Sequence, residues 1–340
     1  MTEPGPAGGA VTSAAPPAGP ASRRRYLAGR QLTMRQRENR AGLGLIAPTV
    51  TIVVAVVVLP IVWSVLLAFQ QVRMLTLRST GLAGEFTLQN FVSVFKAPGF
   101  VESLVTTLAY AVLGTASSIA LGLVAALALR RRFSGRVAVR AAMLLPYVAP
   151  VVAVTFVWET MLSPQFGIIN VWSQRLLGWD QPIAFLSQRS HEVTVLGVTV
   201  TLPMALLTVI AFEAWRSFPF AFLFLTARLQ ASPATLEEAA LVDGATVSQR
   251  FRYILLPQLL PTIAMLSVLR FIWTFNSFDE IYLLTGGGAG TEVISVRVFN
   301  FLTGRGDIGL ASAQALVLAV VLVALVGLYI RRFGAREEEN

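Results

Sequence analysis

Six stretches of this chain are long and apolar, and polar or basic segments separate them. A helix needs about 20 apolar residues to cross the hydrocarbon core of a bilayer. Residues 44–69, 103–129 and 308–330 contain no charge, and 141–158 is uncharged and continues to Leu162. Residues 203–227 carry Glu213 and Arg216, and 261–284 carry Arg270, Asp279 and Glu280. None of these runs alternates with the period of two that barrel strands require. The pattern therefore predicts an all-α integral membrane protein with six transmembrane helices.

Outside those runs the chain changes character. Residues 1–22 are rich in Ala, Pro and Gly and hold almost no large apolar side chain. Such a segment cannot bury enough surface to offset its ordering entropy. We expect a disordered basic tail over 1–40, one membrane domain over 41–335 and a C-terminal tail over 336–340. The first apolar run is too long for a secretory signal and lacks a small-residue cleavage site, so it is expected to stay in the membrane.

Composition agrees with lipid as the solvent. Hydrophobic residues make up 55% and charged residues only 13%, where a soluble domain carries about a quarter. The net charge of +9 could suggest nucleic acid, but the basic residues flank the apolar runs. There they read as orientation signals. Of the 27 Lys and Arg, 18 lie in the N-terminal tail, the loops after the second and fourth runs, and the C-terminal tail. That bias places both termini in the cytoplasm. The chain has no cysteine and one histidine, His191 in an outer loop. Disulfides, thiolate chemistry and cysteine metal sites are excluded, and a membrane enzyme would lack the convergent groups it needs.

The outer loops either cap the domain and meet an extracytoplasmic partner or simply connect helices. One of them contains Val198-Thr199-Val200-Thr201, the alternation of a short strand. Ionisable residues inside spans are costly and face a cavity or a partner. Glu213 and Arg270 each fall about 13–15 Å along their runs at 1.5 Å per residue, and Glu213 shares a helical face with Arg216. We expect a Glu213–Arg216–Arg270 cluster that either lines a gate or subunit interface, or holds helices together. Asn276 and Asp279 sit one turn apart beside Trp273 and Phe278. They are candidate solute contacts or a capped helix end. Glu159 is a further candidate.

The cytoplasmic loop 231–257 has its own logic. Ser232 can cap a helix with Pro233 at its first position. Gly244 can end that helix in a left-handed conformation. Thr246 and Gln249 then form a capping box for a second helix, and Pro257 and Pro261 are expected to end it and open the fifth span. The product is a helix, a glycine turn and a helix exposed to the cytoplasm, with Ala239, Ala240 and Ala245 leaving room for a close partner.

Glu238-Ala239-Ala240, Asp243-Gly244 and Ile254-x-Leu256-Pro257 resemble the Glu-Ala-Ala loop of ABC importer permeases. Trp215-Arg216-Ser217-Phe218-Pro219-Phe220 and the stretch from Asn276 to Gly288 resemble the sugar-uptake branch, of the maltose and glycerol-phosphate type. The resemblance covers about residues 40–335, and it departs at Ala289, where a proline is usual. It implies a type I importer permease fold in the bacterial inner membrane. It also implies a second permease subunit, an extracytoplasmic solute-binding protein and a sugar substrate. ATPase subunits would dock on Glu237, Glu238, Ala239, Ala240, Asp243, Gly244, Ile254, Leu256 and Pro257. ATP and Mg would be bound by that partner, because this chain has no Gly-x-x-x-x-Gly-Lys-Ser/Thr run and no cofactor site of its own. A different solute class, such as peptide or phosphate, is the nearest alternative. An ion-coupled secondary transporter would show matched repeats and would leave the loop without a role.

Overall fold

The computed structural model describes residues 34–80, 85–130, 133–177, 181–195 and 198–333. They fall into two units divided between Leu59 and Pro60. In the first, α1 (Met34–Val53) runs into a π turn at Val54–Val58. The expected tail lies outside the described residues as far as residue 33. α1 begins at Met34, so its first turns, with Arg35, Arg37 and Arg40, fall on the last seven residues of that stretch. The segment Met-Arg-Gln-Arg-Glu-Asn-Arg consists mostly of good helix formers, so the helix starts before the apolar run does. The C-terminal residues 334–340 are also outside the described residues.

The second unit begins one residue into α2 (Leu59–Ala68) and continues with the short helices α3 (Leu77–Thr80) and α4 (Gln89–Lys96), then the long α5 (Phe100–Ala128). A helix pair follows, α6 (Arg136–Val148) and α7 (Val151–Leu162), bent by 98°. The expected single span from 141 to 162 is therefore broken. The cause is local: Ala149 precedes Pro150 and takes an extended conformation, φ −65° and ψ 142°, because the proline ring disfavours a helical residue before it.

Next come α8 (Ile168–Leu177) and an antiparallel hairpin, β1 (His191–Val195) with β2 (Val198–Leu202). The hairpin fulfils the alternation read at 198–201. His191 opens β1, with a ring nitrogen 3.2 Å from Gln188 Nε2. The remaining helices are α9 (Met204–Gln230), α10 (Ala234–Val242), α11 (Val247–Arg250), α12 (Leu256–Phe275), α13 (Asp279–Thr285), α14 (Ile294–Thr303) and α15 (Ile308–Phe333). Among the described residues five helical runs are long and apolar enough to span a membrane, or six if the bent pair is one span.

Two expectations about the fifth span need correction. Pro257 and Pro261 do not end a helix, because Val247–Phe275 is one helical run. A π turn at Phe251–Leu255 precedes Pro257. In a regular helix the Pro257 ring would crowd the carbonyl four residues back, and a π turn re-aims that carbonyl. At its other end the span stops at Phe275 and does not continue to Leu284. Asn276 closes α12, its side-chain amide donating to the Ile272 carbonyl at 2.8 Å. Asp279 and Glu280 then open α13, where carboxylates favour the helix N-terminus.

The core of the second unit is the pairing of α5 with α9, crossed by α12. One face of α5 presents Ala111, Gly114, Ser118, Gly122 and Ala125, all buried. Small residues let backbones approach where lipid gives no hydrophobic drive to association. A Cβ on Gly122 would stand 2.7 Å from the Ala221 Cβ and 2.8 Å from the Phe222 amide nitrogen. Towards one end of this pairing Ala126, Phe222, Leu225, Leu259 and Leu266 form a buried cluster, and towards the other Tyr110, Val209, Phe212, Ile281 and Val296 form a second.

The glycine turn after α13 is closed by Thr285 and Thr291, whose hydroxyls lie 2.6 Å apart. Within it Ala289 has φ +51°. Proline, fixed near −65°, could not occupy that position in this turn, so the departure noted in the sequence carries a different local conformation.

Candidate functional site

Two regions concentrate the chemistry. The first is the segment between α9 and α12. Gly244 ends α10 with φ +77°. The Ala245 amide donates to the Ala240 carbonyl at 2.9 Å and the Gly244 amide to Leu241 at 3.1 Å. This pair of bonds is a Schellman motif, which satisfies the last carbonyls of the helix. At α11 the Thr246 and Gln249 side chains exchange the reciprocal bonds of a capping box. Ser232 does not cap α10 as expected. Pro233 occupies the N-cap, and the Ser232 hydroxyl instead donates to Gln258 Oε1 at 2.6 Å, tying the base of the loop to α12.

Of the residues marked for this loop, Glu238, Ala239, Asp243, Gly244 and Pro257 are exposed, and Glu237, Ala240, Ile254 and Leu256 are half-buried. Large apolar side chains are exposed with them: Leu236, Leu241, Val242, Val247 and Tyr253, with Val242 at 88%. Glu237 is held from within the chain. Its carboxylate accepts two hydrogen bonds from the Arg130 guanidinium, one of them 2.6 Å from Nη1. That hydrogen bond holds the Arg130 guanidinium above its ordinary range.

The second region is a cavity of about 390 Å³ between α9, α12 and α13. Two ion pairs line it. Arg270 pairs with Glu213, both almost fully buried, and Arg216 pairs with Glu280. Thr274 donates to Glu213 at 3.1 Å, and Ser277 donates to Glu280. Tyr147 and Trp273 add aromatic faces. The expected three-residue cluster is thus resolved into two pairs in one cavity, each running from α9 to another helix.

Glu280 is the residue that sequence reasoning missed. A signal was present, since Ser277 followed three residues later by Glu280 is a helix-start pattern and breaks the apolar run, and in the structure Phe278 takes the N-cap while Ser277 bonds the Glu280 carboxylate. Asn276 and Asp279, nominated in its place, are exposed and do not border this cavity. Glu159 borders a different one, of about 600 Å³, with Gln165, Ser187 and Thr285.

Residues 118–336 match the family described as binding-protein-dependent transport system inner membrane component. The chain belongs to that family. A relative, the trehalose/maltose transport system permease protein MalF of Thermococcus litoralis, is 31% identical over 88% of this chain and 95% of its own length. The sn-glycerol-3-phosphate transport system permease protein UgpA of Agrobacterium fabrum is 34% identical over 74% of this chain and 82% of its own. A solved bacterial alginate ABC transporter, in complex with an alginate pentasaccharide-bound periplasmic protein, shares the fold. Its TM-score is 0.72 at 23% identity, over 87% of this chain and 94% of that one. The expected all-α type I importer permease architecture is therefore the observed one, in a multi-pass inner-membrane component.

Proposed function

We propose that this permease is one of two membrane subunits of an ATP-driven importer, that it carries a sugar or sugar-like solute through the cavity between α9, α12 and α13, and that an ATPase docks on residues 231–257. The observation that carries the reading is the rigid helix, glycine turn and helix between α9 and α12, which leaves Leu241 and Val242 exposed. A contiguous patch of exposed apolar side chains outside the membrane-spanning runs marks a protein contact. The Arg bias puts this loop and both termini in the cytoplasm, where ATP and Mg would be held by the docked subunit.

The cavity supports the solute class. Polyols need hydrogen-bonding groups beside flat apolar faces, and Ser217, Ser277, Tyr147 and Trp273 supply both. Each guanidinium already faces a carboxylate, which favours an uncharged solute over a phosphate. The relatives transport trehalose, maltose and glycerol phosphate by name, and the alginate neighbour is bound to a loaded periplasmic protein. A solute-binding protein and a second permease are the corresponding partners here.

The test is uptake of labelled sugars in cells carrying either the intact chain or Gly244→Pro, with membrane abundance and ATPase co-purification followed in parallel. The intact chain should support uptake, and the variant should reach the membrane yet lose ATPase or uptake. Normal transport by the variant would refute the role of the loop.

A further inference from the structure

We propose that Arg130 and Glu237 form a strut that delivers movement of α10 to α5, the one helix of the α5–α9–α12 core to which the loop has no direct covalent connection. The proposal rests on the docking role given to residues 231–257.

The chain joins α10 to α9 through Ser232 and Pro233, and to α12 through the glycine turn and α11. The first connection is also tied across to α12, since Ser232 bonds Gln258 and Arg228 Nε donates to the Gln258 carbonyl at 3.1 Å. No such continuity leads to α5. Nor does α10 dock through a core, because none of its described side chains is fully buried, and Leu236, Leu241 and Val242 are exposed. Among the described residues the ion pair ties it to the end of α5. The two hydrogen bonds from one guanidinium to one carboxylate fix direction as well as distance. The side chains are 33% and 16% exposed, so the pair is partly withdrawn from solvent screening.

The far end of the strut is firm. Arg130 lies just past the end of α5, and the Leu129 carbonyl accepts from Arg136 Nε at 2.8 Å and from Arg140 Nη2 at 3.4 Å. A cavity of about 440 Å³ bordered by Leu127, Arg130, Glu237 and Phe251 lies beside the pair, which leaves α10 space to move. From Arg130, α5 runs back to Gly114, about 24 Å away at 1.5 Å per residue. There a Cβ would stand 3.1 Å from Glu213 Cγ and 3.2 Å from Thr274 Cγ2. Glu213 and Thr274 both line the polar cavity. An axial shift of α5 imposed at Arg130 therefore reaches the wall of the cavity through close-packed atoms.

The experiment uses the whole transporter, with both permeases, ATPase and binding protein, in proteoliposomes. It compares Arg130→Gln, Glu237→Gln and the exchanged pair Arg130→Glu with Glu237→Arg. The readouts are ATPase retained in the purified complex and solute imported per ATP hydrolysed. The expected result is that Arg130→Gln keeps its ATPase while imported solute per ATP falls about five- to tenfold or more, that Glu237→Gln lowers the same ratio in the complexes that hold ATPase, and that the exchanged pair recovers a large part of the loss. Two results overturn the strut. An unchanged ratio in both single variants shows that α5 is driven by another route. Loss of ATPase from the Glu237→Gln complex alone shows that Glu237 contacts the partner instead of Arg130. An intact complex that holds no ATPase at all refutes the docking role itself, a separate failure.

Discussion

Gly122 of α5 lies so close to Ala221 of α9 that a single methyl group added to it would stand 2.7 Å from the Ala221 Cβ. The Phe222 amide nitrogen and the Phe218 carbonyl oxygen, at 2.8 Å and 3.0 Å from the same point, are backbone and cannot turn away. The pairing of these helices must open to admit a side chain. Gly122→Val should therefore cost at least about 1–3 kcal/mol, the usual weight of overpacking. Gly327→Ala, inside α15 where nothing lies within 4 Å, should leave stability unchanged or raise it by up to about 1 kcal/mol, since alanine favours a helix over glycine. Thermal unfolding of the purified complex in detergent distinguishes them, and equal midpoints for the two variants would contradict the close approach.

The Arg270–Glu213 pair joins α12 to α9 inside the apolar core. Removing one partner strands a buried charge, which costs about 3–5 kcal/mol, whereas replacing both with apolar residues of similar volume is often neutral. Arg270→Met alone should reduce the amount of assembled permease. Arg270→Met with Glu213→Met should restore it, yet transport should stay low, because the cavity loses its polar wall. Membrane abundance and uptake per assembled complex separate the two roles. Full uptake by the double variant would leave the pair as a helix clamp and nothing more.

How far the sequence was legible depended on how local each determinant is. The middle of the loop, from Gly244 to Gln249, could be read residue by residue, because Gly244, Thr246 and Gln249 act on groups within five positions of themselves, whereas Ser232 at its start bonds Gln258 and caps nothing. The membrane runs were legible from apolar length alone. Their interruptions were not. Ala149-Pro150 and Ser277-x-x-Glu280 carry breaking and capping signals that the apolar run around them masked. Pro257 carries a stop signal that the π turn at Phe251–Leu255 neutralises. The ion pairs were half legible. Glu213 and Arg216 were placed on one face, but Arg216 reaches Glu280, 64 residues away. That partner comes into range only because the span ends at Phe275 and a new helix begins at Asp279.

That break sets up a contrast between adjacent residues. Glu280 is buried, accepts from Arg216 and Ser277 and borders the cavity, while Asp279 is exposed beside it. Glu280→Gln leaves Arg216 without its counter-charge and should lower the uptake rate about tenfold, the equivalent of about 1.4 kcal/mol. Asp279→Asn should change it by less than about twofold, within the scatter of exposed substitutions. Initial rates at saturating and at low solute check both. The opposite ranking would place the solute path on the exposed side of α13.

The last prediction concerns the sign of one dihedral angle. Gly244 sits at φ +77°, a region where a side chain costs about 1–2 kcal/mol and where only asparagine and aspartate are commonly tolerated. No heavy atom lies within 4 Å of the position a Cβ would take, so space is not the constraint and backbone conformation is. Gly244→Asn should keep the Schellman motif and most of the uptake. Gly244→Val should lose both, since a β-branched residue resists the left-handed region, and α10 would no longer end where Ala245 can reach the Ala240 carbonyl. Uptake and ATPase co-purification should fall in the order glycine, asparagine, valine. If valine performs as well as asparagine, the left-handed turn is not what sets the angle between α10 and α11.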